Sequence, residues 1–345
     1  MSTLHSGSVP HTVPGGGLTG TAAGITFGPV PSRRFGRSLI VNNLKPKVCP
    51  YSCAYCQLGR TVRMGTERLP FHGAETVARA VRVRVEEALR SGERIDHITF
   101  VPTGEPTLDL GLRRAIHVIR TLGIPVAVVS NGALLTNREV REALCEADRV
   151  SLKVDAVREE AWRRVNRPHL RLDLSAILDG MRAFAAAYGG SLSTETVLID
   201  GVNDGEDEVR ATAAFVATLH PRTVYLSAPT PPTAEAWARV PSEAALTRAW
   251  ELFRAWNANV ELLVGYEDDA FASTGDPVRD LLSIAAIHPL REMAVHHVLE
   301  HAGASWGVVS ELVEKGELVE VHYGPHRYYM RPYGARHPQP SQSTH

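Results

Sequence analysis

Three of the four cysteines in the sequence lie close together, at Cys49, Cys53 and Cys56. Cysteine thiolates are the usual ligands of iron–sulfur clusters, and a cubane cluster has four irons. Three thiolates would hold three irons and leave the fourth open to a ligand that can react. The alternatives are a zinc site and three incidental thiols. Zinc needs a fourth Cys or His at close spacing, and the next histidine along the chain is His72. The spacing favours a cluster. The distant Cys145 is expected to be a packing residue.

Two further polar segments follow runs of sequence that are typical of strands. Gly104-Glu105-Pro106-Thr107 ends the strand predicted at 97–103, and Ser130-Asn131-Gly132 ends the strand predicted at 125–130. In parallel α/β folds the chemistry lies at the carboxyl ends of the strands, so both segments should meet the cysteines. The glycine permits close backbone approach, and the glutamate can face a cation. Each segment alone is equally compatible with an ordinary turn.

The next strands offer charged candidates. In the strand predicted at 149–155, Lys153 and Asp155 alternate with apolar residues, so they share one face. If that face points into the sheet's cavity, both are candidate catalytic residues; a buried structural ion pair is an equally good interpretation. Glu195, on the strand predicted at 192–199, is a candidate substrate-binding residue of the same kind.

A basic loop precedes the first predicted strand, at 38–42. It contains Arg33, Arg34 and Arg37. Arginine side chains bind carboxylates and phosphates through two parallel hydrogen bonds, so Arg33 and Arg34 are candidate substrate-binding residues. A solvated loop is the alternative.

Taken together, the motifs resemble those of the radical S-adenosylmethionine (SAM) superfamily. The stretches Gly28-Pro-Val-Pro-Ser-Arg-Arg, Cys56-Gln-Leu-Gly-Arg and Lys153-Val-Asp155 are similar to a group of iron–sulfur oxidoreductases related to the wybutosine-synthesis enzymes. The resemblance covers about residues 25–270. It implies a [4Fe-4S] cluster on the three cysteines, SAM bound at the open iron, and reductive cleavage of SAM to a 5'-deoxyadenosyl radical.

The resemblance also implies roles for single residues around SAM. Tyr55 would contact adenine, Gly104, Glu105 and Pro106 the ammonium group, Ser130 and Asn131 the ribose, and Asn203 the neighbourhood of the adenosyl group. If the polar face of their strand points into the cavity, Lys153 would meet the SAM carboxylate and Asp155 a ribose or substrate group. The wybutosine enzymes carry extra N-terminal cysteines for a second cluster. No cysteine precedes Cys49 here, so a second cluster and that reaction are not expected.

Strand and helix patterns alternate between residues 25 and 275. The predicted strands are 38–42, 97–103, 125–130, 149–155, 192–199 and 223–229, with a seventh apolar run at 259–264. Helices are predicted near 74–90, 108–122, 136–146, 172–188, 206–219 and 242–256. Repeated strand–helix units favour an α/β fold with a parallel sheet. A full barrel needs eight units, so a partial (β/α)6-type barrel is expected.

The pattern of predicted elements changes from about residue 276 onward. Three short helices and a hairpin are predicted over 276–333, an order similar to a winged-helix module. The expected domains are therefore a disordered tail at 1–24, the radical SAM core at 25–275, the module at 276–333 and a second disordered tail at 334–345.

Charge argues against a nucleic-acid or membrane protein. The chain has 37 Lys and Arg against 38 Asp and Glu, a net charge of -1, so no overall basic field exists. Over 288–333 four Lys and Arg face six Asp and Glu, so DNA binding by the module is not expected. The clustered cysteines favour a reducing, cytoplasmic location. No apolar run approaches the roughly 20 residues that cross a bilayer.

Three functions are compatible with these observations. The first is a radical SAM enzyme acting on a small molecule or an RNA base, with an electron donor such as flavodoxin or ferredoxin. The second is an activase that generates a radical on a protein partner. The third, which is not an enzyme, is a redox-sensing regulator; the SAM-type motifs argue against it, because a sensor does not need them.

Overall fold

The computed structural model describes residues 24–32, 34–45, 47–263, 275–285, 289–323 and 326–331. Arg33, most of the predicted N-terminal tail and the whole predicted C-terminal tail lie outside these residues. The strands are β1 Thr26–Ser32, β2 Gly36–Val41, β3 Val48–Cys49, β4 Arg63–Met64, β5 His97–Phe100, β6 Val126–Ser130, β7 Arg149–Lys153, β8 Ser191–Val197, β9 Thr223–Ser227, β10 Val260–Leu263, β11 Leu290–Arg291, β12 Val319–Tyr323 and β13 His326–Met330.

The described residues also form ten α-helices. They are α1 Ala74–Arg90, α2 Leu112–Arg120, α3 Arg138–Cys145, α4 Glu159–Asn166, α5 Leu174–Ala187, α6 Glu206–Ala217, α7 Glu243–Arg254, α8 Pro277–Ala285, α9 Glu292–His301 and α10 Gly307–Glu314. A short 3₁₀ helix spans Pro106–Leu108. All six helices predicted before residue 260 are present, and α4 is an addition.

In the part of the chain that the structure describes, the main sheet has eight strands in the order β1-β2-β5-β6-β7-β8-β9-β10. The seven strands from β2 to β10 pair in parallel, and β1 pairs antiparallel with β2. The predicted α/β fold with a parallel sheet is confirmed, and the seventh apolar run forms β10. Among the described strands, β1 and β10 are the edges, so the sheet is a partial barrel.

Strand β1 was missed by the sequence analysis. It contains Pro29 and Pro31, and proline cannot donate a hydrogen bond to a neighbouring strand. Such a strand is tolerated at the edge of a sheet, which is where β1 lies. Its pairing with β2 is irregular between Phe27 and Val30.

The alternation predicted for β7 separates a packed face from a polar face. Val150 and Leu152 are completely buried in the main hydrophobic core. Ser151 is also fully buried, and Lys153, at the carboxyl end of the strand, lines a cavity. The packed face fixes the strand, and the polar face supplies the site described below.

The C-terminal module contains three helices and a hairpin, as the sequence predicts, and one further short strand, β11, in the order α8, β11, α9, α10, β12, β13. Strands β11, β13 and β12 form a small antiparallel sheet. The hydrophobic core of the module extends across the predicted boundary at residue 276. Leu281 and Leu290 share one buried cluster with Phe27, Val30 and Ile40 from β1 and β2. The module is therefore packed on the β1–β2 edge of the sheet, and its winged-helix assignment stays a prediction.

None of the described helices is both long and apolar enough to cross a membrane.

Candidate functional site

The three cysteines lie on one loop at the carboxyl edge of the sheet. Cys49 ends β3, and the register of the β3–β4 pair places it opposite Met64. The backbone of α4 holds the loop from the other side, because Ser52 N donates to Asn166 O at 3.0 Å and Ala54 N donates to Val165 O at 2.8 Å. The loop is thus fixed by two separate segments of the chain.

Each thiol faces a side-chain nitrogen donor. Asn131 Nδ2 lies 3.4 Å from Cys49 Sγ, and Asn166 Nδ2 lies 3.5 Å from Cys53 Sγ. The third donor is Lys47, whose Nζ is 3.9 Å from Sγ of the last cysteine in the motif. Hydrogen bonds to sulfur stabilise negative charge on a thiolate ligand and tune an iron–sulfur centre.

Without a metal, the site disfavours thiolates. Burial raises the pKa of Cys49 well above its usual value and that of Cys53 to about 12, and neighbouring acidic groups add to both shifts. A positively charged metal centre offsets such a penalty, because it replaces the proton on each sulfur. No three His, Cys, Asp or Glu side chains of the described ranges converge on one metal ion. A cubane does not need them to, since each thiolate binds a different iron. The donor set fits a cluster.

Lys47 is the buried cation of the loop. Its Nζ donates to Gly59 O at 2.7 Å, and its backbone lies in the left-handed region at φ 61°. Burial lowers the pKa of Lys47, while the nearby cysteines act in the opposite direction. It balances part of the charge that the cysteine thiolates would carry.

The Gly104 segment packs directly on β3. A Cβ atom at Gly104 would lie 2.0 Å from Val48 O, so only glycine fits. Glu105 N donates to the same carbonyl at 3.1 Å. Pro106 then begins the 3₁₀ helix. This close approach sets Glu105 beside the cysteine loop.

The carboxylate of Glu105 joins the two predicted polar segments. It is 2% exposed. Oε1 accepts from Thr107 Oγ1 and Ser130 Oγ, both at 2.7 Å, and Oε2 accepts from Asn131 N at 2.8 Å. Burial raises the pKa of Glu105, although these hydrogen bonds oppose the shift. The two segments therefore meet at the edge of the sheet. This contact was expected, because the carboxyl ends of parallel strands lie together there.

Asp155 is the centre of a second hydrogen-bond network. Its Oδ2 accepts from Tyr55 OH at 2.6 Å and from Asn166 Nδ2 at 2.7 Å, and its Oδ1 accepts from Val197 N at 2.9 Å. Asn203 Nδ2 donates to the Asp155 carbonyl at 2.8 Å. Burial raises the pKa of Asp155. These contacts give Asp155 an internal role, and its assignment as a catalytic residue stays a prediction.

The side chain of Asn203 is hydrogen-bonded to backbone groups. Besides the bond to Asp155, its Nδ2 donates to Val197 O at 2.8 Å and its Oδ1 accepts from Ile199 N at 2.7 Å. Its assignment to the SAM site also stays a prediction.

A buried ion cluster lies on β7 and β8, and its pairing differs from the expected one. Lys153 Nζ is 3.2 Å from Glu195 Oε2, and Arg34 Nη1 is 2.5 Å from the same oxygen. Ser227 Oγ donates to Glu195 Oε1 at 2.9 Å. The ion pair of Lys153 is therefore with Glu195 and not with Asp155. Burial alone would raise the pKa of Glu195, but the two cations and the hydroxyl lower it to about 2.

These groups surround one cavity of about 370 Å³. It is lined by the predicted residues Arg34, Cys49, Cys53, Tyr55, Cys56, Gly104, Glu105, Ser130, Asn131, Lys153 and Glu195. Pro106, Asp155 and Asn203 are not among its lining residues. Leu290 and Ala294 of the C-terminal module form part of an apolar wall with Pro229.

The sequence profile described as the Radical SAM superfamily matches residues 45–216, the part of the chain that carries this site. The chain belongs to the radical SAM superfamily. Over 309 residues it is 36% identical to the UPF0026 protein MJ1312 of Methanocaldococcus jannaschii, a match that covers 89% of this chain and 96% of that protein. It is 37% identical to a UPF0026 protein of Helicobacter pylori over 59% of this chain and 65% of that protein.

A solved structure shares the fold. The structure of TYW1 with a lysine–pyruvate adduct bound aligns with 64% of this radical SAM chain and 74% of its own, at a TM-score of 0.50 and 16% identity. The similarity supports the partial-barrel architecture. Radical SAM proteins are enzymes that use a [4Fe-4S] cluster and SAM, so the predicted class of enzyme and its two cofactors are confirmed at the level of the superfamily.

Three residues of this radical SAM site were missed by sequence reasoning. Lys47 lies two residues before the first cysteine of the motif. Nothing in the surrounding sequence predicts that this lysine is buried. Asn166 ends α4, a helix short enough to be overlooked, although Ala161, Trp162 and Val165 have helical spacing. Ser227 ends β9. It could have been predicted as a site residue, because functional side chains lie at the carboxyl ends of parallel strands.

Proposed function

We propose that this chain binds a [4Fe-4S] cluster through Cys49, Cys53 and Cys56, binds SAM in the adjoining cavity, and cleaves SAM reductively to begin radical chemistry on a small molecule or an RNA base. The observation that carries the proposal is the convergence of three cysteines and the Glu105 network on one cavity. When bound, the cluster supplies the electron with which SAM is cleaved to a 5'-deoxyadenosyl radical.

The residues around the cavity have separate tasks in this proposal. Glu105 presents a buried carboxylate to the SAM ammonium group, and Tyr55 presents its ring to adenine. Ser130 and Asn131 bind the ribose, and Lys153 binds the SAM carboxylate.

Lys153 and Arg34 together also set the charge of the cavity wall. The two cations share the single carboxylate of Glu195, so the cluster of three side chains carries a net positive charge at neutral pH. Such a wall favours a carboxylate or another anionic group in the cavity. The apolar wall formed by Pro229, Leu290 and Ala294 limits the water that reaches a radical.

The proposal is tested by anaerobic reconstitution of the full chain. We expect about four irons per chain and release of 5'-deoxyadenosine when reductant and SAM are supplied. Zinc in place of iron after anaerobic purification, with no cleavage of SAM, would overturn it. Comparing small molecules and RNA by mass spectrometry in cells with and without the gene then searches for the substrate, and a glycyl radical on a co-purified protein would indicate an activase instead.

A further inference from the structure

The segment between β9 and α7 packs against the cysteine loop. Glu235 N donates to Ala54 O at 3.0 Å, and Ala54 N donates to Val165 O of α4 at 2.8 Å. Both backbone groups of Ala54 are therefore bonded to segments outside the loop. Ala54, Val165 and Ala238 are also buried together in one small apolar cluster, so the segment contacts the loop through packing as well as through hydrogen bonds.

The side chain of Glu235 binds two arginines of the same region. Its Oε1 accepts from Arg60 Nε at 2.7 Å, and its Oε2 accepts from Arg60 Nη2 at 3.1 Å. Oε1 also pairs with Nη1 of Arg167, whose Nε donates in turn to Ser52 O. Burial alone would raise the pKa of Glu235, but the hydrogen bonds from the two arginines lower it. The carboxyl group is therefore ionised at neutral pH.

The groups that this glutamate binds are spread along the cysteine loop. Ser52 comes immediately before Cys53, and Ala54 comes immediately after it. Arg60 comes shortly after Cys56. A single residue from outside the loop therefore contacts it, directly or through one arginine, before, between and after its last two cysteines. These two thiols must keep a fixed separation if they are to bind two irons of one cubane.

We propose that Glu235 is a positioning residue that holds the cysteine loop in its cluster-binding shape and keeps the reduction potential of the cluster low. The proposal rests on the proposed function, in which the cluster must be strongly reducing to give its electron to SAM. Among the described side chains, neither Arg60 nor Arg167 has another carboxylate partner. Without Glu235, two positive charges would stand unbalanced beside the loop. Positive charge stabilises the reduced cluster, which carries one more electron, and therefore raises its potential.

The test compares Glu235→Gln, which keeps the shape of the side chain and removes its charge, with Glu93→Gln as the matched control. The side chain of Glu93 is 10% exposed, against 12% for Glu235, and both of its oxygens bind Arg84. Glu93 precedes β5 and so lies at the amino edge of the sheet, away from the cysteines. The reduction potential of the reconstituted cluster is measured by redox titration with electron paramagnetic resonance, at low salt so that charges are little screened.

The cluster of the Glu235→Gln variant should have a more positive reduction potential than that of the unmodified chain. SAM affinity should stay the same, because Glu235 does not line the cavity. Glu93→Gln should lower the stability of the chain but leave the potential unchanged. Glu235→Asp keeps the charge, although its side chain is one carbon shorter, and should return the potential close to that of the unmodified chain.

Hydrogen exchange of the metal-free chain measures the positioning role without the cluster. In Glu235→Ala, the backbone amides of residues 52–60 should exchange roughly tenfold or more faster than in the unmodified chain, because the charge-assisted hydrogen bonds that hold the loop are lost. Glu93→Ala should leave the exchange of these amides unchanged.

Equal potentials in the unmodified chain and Glu235→Gln, or equal shifts in Glu235→Gln and Glu93→Gln, would overturn the role of this carboxylate in setting the potential. Unchanged exchange of residues 52–60 in Glu235→Ala would overturn the positioning role. Loss of iron from Glu235→Gln, with Glu93→Gln fully loaded, would support the positioning role. If the unmodified chain binds no iron, the proposed function fails, and hydrogen exchange of the metal-free chain still decides whether Glu235 holds the loop.

Discussion

The hydroxyl of Tyr55 donates a 2.6 Å hydrogen bond to Asp155 Oδ2, joining the cysteine loop to the segment that follows β7. The same oxygen accepts from Asn166 Nδ2, and this amide also faces Cys53. Asp155 therefore orients both the aromatic ring at the cavity and a donor to one thiol. The position of the ring depends on a hydrogen bond, while its proposed contact with adenine depends on its flat face.

Two variants of Tyr55 separate these functions. Tyr55→Phe removes the hydroxyl and should lower the free energy of unfolding by about 1–3 kcal/mol, because a buried hydrogen bond is lost. SAM affinity should change little. Tyr55→Ala should weaken SAM binding roughly five- to a hundredfold, since stacking on a base contributes about 1–3 kcal/mol. Calorimetric SAM titration of both variants measures the difference, and equal losses would argue against a stacking role.

The cysteines give a second prediction. Cys53→Ala should abolish both iron binding and SAM cleavage, because two remaining thiolates cannot hold the cubane firmly. Cys145→Ala is the control. Cys145 ends α3 and is exposed, in contrast to the packing role expected from the sequence, so its removal should leave iron content and cleavage intact. Iron analysis after anaerobic reconstitution compares the two. Loss of iron from the Cys145 variant would show that the assignment of the ligands is wrong.

Glu105 gives a third prediction. Glu105→Ala should keep the cluster but weaken SAM binding roughly ten- to a hundredfold, because a charge-assisted hydrogen bond contributes about 1.5–3 kcal/mol. The variant should also be less stable, since Ser130, Thr107 and the amide of Asn131 lose their acceptor. Glu139→Ala removes an exposed carboxylate as the control. SAM titration of the cluster-loaded protein is the measurement, and unchanged affinity would refute the ammonium-binding role.

The pKa of Glu195 predicts a pH dependence of stability. Its folded value of about 2 lies below the usual value of 4.5. As the pH falls, Glu195 is protonated in the unfolded chain at a higher pH than in the folded chain. Its contribution to the stability of the folded state is therefore complete above about pH 5 and declines as the pH falls towards 2. A shift of this size corresponds to about 3 kcal/mol at neutral pH.

Urea unfolding of the metal-free chain and its Glu195→Gln variant measures this dependence. The difference in free energy between them should be largest near neutral pH and shrink between about pH 5 and pH 3. Glu86→Gln, at an exposed position on α1, is the control and should show no such change. A difference that stays constant over this range would contradict the assigned ion cluster.

The sequence predicted those site residues that lie at or just after the carboxyl ends of strands. Ser130 ends a strand, and Glu105 and Asn131 come after strands. Because the carboxyl ends of parallel strands meet at one edge, the proximity of these residues follows from their order along the chain. The partner of Lys153 did not follow, because it depends on cross-strand register. Lys153 pairs directly with Glu195 in the β7–β8 ladder, whereas Asp155 lies beyond the end of β7, where the alternation of faces stops. No pattern within a single strand contains that information.

The C-terminal module gives the last prediction. Leu281 of α8 is completely buried and belongs to the cluster that also contains Phe27 and Val30 of β1. Because that core crosses the predicted domain boundary, the module and the barrel should unfold together. Leu281→Ala should lower the stability of the whole chain by about 2–5 kcal/mol. Tryptophan fluorescence reports Trp306 in the module and the other four tryptophans in the barrel. Unfolding followed by this signal should give one transition that shifts as a unit. Val278→Ala, at an exposed site on the same helix, should shift it far less. Two transitions, with only the transition of the module shifted by Leu281→Ala, would show that the module folds independently of the barrel.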